Sequence, residues 1–79
     1  MNDKIKTFYR QQFKQLNSMY KNSKDKHGKV LRMKPSYYAI LGYTEALADM
    51  NILPEKTWNK IIMVAWLKLY KAIEEMLEK

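Results

Sequence analysis

Only two glycines and two prolines interrupt this 79-residue chain. Helix breakers this sparse leave room for a few long helices and none for the frequent turns of an all-β fold. Hydrophobic residues make up 47% of the chain, enough for a folded core. A chain of this length is one domain, 1–79, and buries a modest fraction of its surface. The expected fold is all-α: a compact three-helix domain with a long, basic helix 1–helix 2 loop and a long C-terminal helix.

The first helix is predicted over 3–22, capped by Asn2 or Asp3, whose short side chains can accept a first-turn amide. Ile5, Phe8, Tyr9, Phe13, Leu16, Met19 and Tyr20 fall within about 140° at 100° per residue, a core-facing stripe. Lys6, Arg10, Lys14 and Lys21 occupy a separate arc of about 80°. Asn22, Ser23 and Gly28 then break the pattern, and Lys34 before Pro35 is biased away from helix. Residues 22–35 therefore read as a connecting loop carrying Lys24, Lys26, Lys29, Arg32 and Lys34. The second helix is predicted from Ser36 to Met50. One face is Tyr37, Ile40, Leu41, Thr44, Leu47 and Ala48, and a second is Ala39, Tyr43, Ala46 and Met50. Apolar on two sides, it should sit between the other two helices. Asn51 suits a left-handed C-cap, with Ile52 closing it. Pro54 suits the first position of the third helix. Trp58, Ile61, Ile62, Ala65, Trp66, Leu69, Ile73, Met76 and Leu77 form its core stripe, and Met63, Leu67 and Tyr70 a second stripe outside that core.

Charge is distributed unevenly. Residues 1–36 hold ten Lys/Arg against Asp3 and Asp25, net +8, whereas 37–79 are net −1, giving the total of +7. A one-sided basic region attracts polyanions. Lys6, Arg10 and Lys14 rise about 6 Å per step, in keeping with successive phosphates along one strand. The cations are nearly all lysine. Only Arg10 and Arg32 could make bidentate base contacts, so the pattern favours backbone binding over sequence reading. The candidate nucleic-acid-binding set is thus Lys6, Arg10, Lys14, Lys21, Lys24, Lys26, Lys29, Arg32 and Lys34. The competing reading is a solvated helix face and a charged loop. Tyr37 and Tyr38 beside Lys34 could stack on bases, but they read better as boundary residues of a helix start.

Catalytic chemistry has little to rest on. The chain has no cysteine. His27 lies in a polar stretch without companion ligands, so neither a metal nor another cofactor is expected. Glu45 and Asp49 share a helix face as i and i+4 and read as a solvated strip or as acidic partners of the basic row. The third helix is too apolar to enter a major groove, since Trp58, Ile61, Ile62 and Trp66 belong to a core or interface, which rules against a helix-turn-helix reader. The longest apolar run, Ile61–Leu67, is about half of what a bilayer span requires. A cytoplasmic, non-membrane protein without a secretory leader is expected.

The segment Gly42-Tyr43-Thr44-Glu45-Ala46-Leu47-Ala48-Asp49-Met50-Asn51-Ile52-Leu53-Pro54-Glu55 resembles a helical hairpin found in small accessory proteins of phages, prophages and mobile elements of Gram-positive bacteria. The resemblance covers under a fifth of the chain. It departs from the usual pattern at Leu53, where Ser or Thr is common, and at Lys56 and Thr57, often acidic. It implies a bacterial host cell and a regulator, DNA-handling factor or inhibitor of host machinery. The combined expectation is a non-catalytic nucleic-acid-binding accessory protein. The alternative is an interaction module that docks its basic face on an acidic host protein. Met63, Leu67 and Tyr70 are the expected interface of a homodimer that would bury the surplus stripe.

Overall fold

The computed structural model describes residues 2–78. They form three helices: α1 Asp3–Asn22, α2 Lys26–Asp49 and α3 Glu55–Leu77. The Asn2 side chain caps α1 by accepting the Ile5 amide at 2.9 Å. That satisfies one of the first-turn donors no helical carbonyl can reach.

The connection between α1 and α2 is short, and this corrects the expected long loop over 22–35. Asp25 is the N-cap of α2, its carboxylate accepting the Gly28 amide at 3.0 Å. The helix then runs through Pro35 to Asp49. Proline removes the amide that would bond to the Leu31 carbonyl and costs a helix interior about 3 kcal/mol. Burial outweighs that cost here. Val30 and Met33 on one side of Pro35, and Ser36, Ile40, Thr44 and Leu47 on the other, are all buried. Breaking the helix would expose the first pair. Pro35 and Leu31 are themselves exposed, so the unpaired carbonyl reaches water.

Helix α2 ends as its sequence suggests. Asn51 is left-handed at φ 58°. Its amide donates to Ala48 O at 3.0 Å, and the Ile52 amide donates to Leu47 O at 2.9 Å. These two bonds close the last carbonyls of α2 in the αL-terminated arrangement. The apolar closure falls on Leu53 rather than on the expected Ile52, which stays exposed at 48% while Leu53 is buried. Pro54 stands one residue earlier than expected, as the N-cap of α3, its carbonyl accepting the Thr57 and Trp58 amides.

Helix α2 lies between α1 and α3, packing along both, while α1 and α3 touch each other only sparingly. The domain is elongated, with Cα extents of 43 × 19 × 14 Å. Ile5, Tyr9 and Leu16 from α1 meet the buried face of α2, and Ala65, Leu69 and Ala72 meet it from α3. Phe8 stacks on Tyr43 at 4.0 Å between ring centres, and the Tyr9 ring meets both edge-on. Within this apolar layer Tyr9 Oη and Thr44 Oγ1 lie 2.7 Å apart. The Thr44 hydroxyl donates to Ile40 O, so the Tyr9 hydroxyl donates to Thr44. Burial pushes the Tyr9 hydroxyl pKa above 10.0.

Two residues expected in the α3 core are exposed. Trp66 is 43% and Leu77 74% accessible. With α1 set aside, α2 alone cannot cover so broad an apolar face.

Candidate polyanion-binding face

All four cations of the α1 row, Lys6, Arg10, Lys14 and Lys21, are exposed. Arg10, Lys14 and Lys21 border a shallow groove whose floor is Phe13, Asn17 and Ser18. Asn17 also belongs to a second hollow, between α1 and α3, completed by Tyr20, Lys68 and Lys71. Asn17 lines both hollows, so cations from both ends of the chain border neighbouring hollows along α1, whose row of exposed cations runs about 22 Å from Lys6 to Lys21.

Tyr20 organises the α3 side of this surface. Its hydroxyl donates to the Glu75 carboxylate. Lys29 Nζ lies 4.3 Å and Lys71 Nζ 5.4 Å from the Tyr20 ring centre, both within cation–π range. Lys29 Nζ is also 3.8 Å from Glu75. Donation to Glu75 pushes the Tyr20 pKa above 10.0, because losing that proton would set two anions side by side. Lys29 is thus engaged within the fold, while Lys71 keeps its ammonium at the rim of the groove.

The cations expected on a loop are instead carried by the α1–α2 turn and by α2, and helical geometry separates them. Lys24 and Lys26 are exposed at the turn and the start of α2. Arg32 reaches back one turn over Gly28, where an added Cβ would lie 2.9 Å from Arg32 Nη1 and 3.0 Å from the Asp25 carboxylate. Lys34 is half-buried beside Tyr37 and Tyr38, on the flank of α2 away from Arg32. The structure therefore groups Lys6, Arg10, Lys14 and Lys21, brings Lys29 beside Tyr20 but pairs it with Glu75, and disperses Lys24, Lys26, Arg32 and Lys34. Lys68 and Lys71 are the residues sequence reasoning missed. Their i and i+3 spacing marks one flank of α3, but only the tertiary packing sets that flank beside α1.

Met63, Leu67 and Tyr70 lie exposed on α3, at 60%, 55% and 44%. Tyr37, Trp66 and Tyr70 form a chain of ring contacts at 6.2 and 5.7 Å. His27 is exposed. Among the described residues no group of three or more His, Cys, Asp or Glu is placed to hold a metal ion, and no helix is long and apolar enough to cross a membrane. Comparison with family models, with curated proteins and with solved structures finds no match.

Proposed function

We propose that this protein binds nucleic acid through the phosphate backbone, without catalysing a reaction, as an accessory protein in the mobile-element setting that the α2–turn–α3 resemblance implies. The observation that carries the reading is that Arg10, Lys14 and Lys21 line one hollow and Lys68 and Lys71 a second, with Asn17 common to both. Five cations on two neighbouring hollows, with Lys6 extending the row, suit a chain of phosphates. Asn17 and Ser18 add neutral donors that position a backbone without reading bases. Lysine supplies the charge as point contacts rather than as planar forks, which favours sequence tolerance.

Fluorescence anisotropy with labelled duplex DNA, single-stranded DNA and RNA, repeated over a salt series, tests this. Binding should weaken with salt, with a log–log slope of about −4 if four or five phosphates are engaged on duplex DNA. Lys14→Ala and Lys68→Ala should each reduce that slope by about one unit whatever the sequence. Lys34→Ala, on the other flank, should leave it unchanged. Absence of binding to all three probes at low salt would overturn the reading. A partner protein captured from nuclease-treated host lysate, and lost with Lys14→Ala, would favour docking on an acidic protein surface instead.

A further inference from the structure

The outward face of α3 carries a second pattern. Lys56, Lys60, Met63, Leu67, Tyr70, Glu74 and Leu77 follow one another at alternating four- and three-residue steps. This 3.5-residue spacing is that of a helix seam packed against another helix. Every member is exposed. The centre is apolar, the N-terminal end holds two lysines, and the C-terminal end holds Glu74 with Glu78 beyond it.

Those end charges are unfavourable in an isolated helix. Lys56 lies in the first turn and Glu74 in the last, each at the end where the helix dipole disfavours its sign. Lys56 with Lys60, and Glu74 with Glu78, are also like-charged i, i+4 pairs. An oppositely charged neighbour at each end would relieve both.

We infer that the occupant of this face is a second copy of the same chain, with the two α3 helices antiparallel about a twofold axis near Leu67. Lys60 and Glu74 each lie seven residues from Leu67, about 10 Å on opposite sides. Antiparallel pairing brings Lys56 and Lys60 of one copy alongside Glu74 and Glu78 of the other, at both ends. Parallel pairing would set lysine against lysine and glutamate against glutamate. Met63, Leu67, Tyr70 and Leu77, with Val64 and Trp66 at the edges, offer roughly 600 Å² of apolar surface per copy from their fractional exposures, against about 800 Å² per partner in a stable interface. The charged ends supply the remainder.

The antiparallel arrangement has a geometric consequence. Its axis lies in the plane between the helices and across them, so the flank of α3 bearing Lys68 and Lys71 falls on the same side in both copies. The two basic grooves then form one surface, and the Tyr37–Trp66 sides form the opposite one. The pairing itself does not depend on what the grooves bind.

Sedimentation velocity on the full chain up to high micromolar concentration tests the inference. Wild type should be a dimer. Leu67→Asp should be a monomer with an unchanged helical circular dichroism spectrum, since Leu67 is 55% exposed and lies outside the core cluster. Lys60→Glu and Glu74→Lys should each weaken the dimer about tenfold. The double variant, with both charges exchanged within one chain, should recover it. A monomeric wild type, or a dimer untouched by Leu67→Asp, would overturn the assignment. Single charge variants that leave the dimer unaffected, or a double variant that does not recover, would overturn the antiparallel register.

Discussion

Pro35→Ala should stabilise this protein. Pro35 stands ten residues into the 24-residue helix α2 and is exposed. Alanine would restore the amide that bonds to the Leu31 carbonyl and remove the ring's clash with that turn, a gain of about 3 kcal/mol. Proline also restricts the unfolded chain, and losing that restriction offsets roughly 0.4–1 kcal/mol. The net expectation is a gain of about 2 kcal/mol. For a domain this small, that raises Tm by roughly 8–16 °C. Thermal unfolding followed at 222 nm, with urea titration to confirm an unchanged m-value, measures it. A Tm that is unchanged or lowered would refute the reasoning. It would mean that α2 requires the proline's distortion, or that residues before Pro35 are not held in the same helix.

Thr44→Val should cost about 1–3 kcal/mol despite its near-equal volume, because it leaves the Tyr9 hydroxyl buried without an acceptor; Tyr9→Phe should cost less, and urea unfolding of both singles and the double should show strong coupling. Stability should be full below about pH 10 and fall as pH rises through the elevated pKa values of Tyr20 and Tyr9, since both hold the proton more tightly folded than unfolded. In alkaline urea titrations Tyr20→Phe should flatten part of that fall, and an unchanged profile would show that Tyr20 makes no contribution.

Local rules made α1 and the α2–α3 turn legible. Asn2 and Asn51 are short side chains at positions whose chemistry admits few alternatives, and both act as their residue types suggest. The start of α2 was harder because two signals conflict. Ser23, Gly28 and Pro35 argue for a loop. Val30, Met33, Tyr37, Ile40, Thr44 and Leu47 continue one 3.5-residue stripe straight through Pro35, with Asp25 as a cap ahead of it. The stripe prevails because burial on both sides of the proline exceeds its local cost. The exposure of Trp66 and Leu77 could not be read from α3 itself. It follows from α1 packing mainly on α2 and only sparingly on α3, a property of packing order rather than of any one helix. The basic face was half legible for the same reason. Tallying charge along the chain separates Lys68 and Lys71 from Lys14, although the fold makes them neighbours.

The packing order accounts for both surfaces at once. Helix α2 packs along both outer helices, while α1 meets α3 only sparingly, through contacts such as Tyr20 with Glu75 and Lys71. Helix α3 therefore presents most of its circumference, and a 23-residue helix cannot leave that much surface without consequence. On the flank toward α1 the residues are Lys68, Lys71 and Glu75, which suit water and anions. On the outward face they are Met63, Leu67 and Tyr70, which do not. The sparing contact that sets α1 against the Lys68–Lys71 flank of α3 also leaves the outward face of α3 uncovered. If the inferred dimer forms, its stability and its affinity for a polyanion are linked: a strand spanning both grooves binds the dimer better than the monomer and must, by mass action, strengthen the pairing.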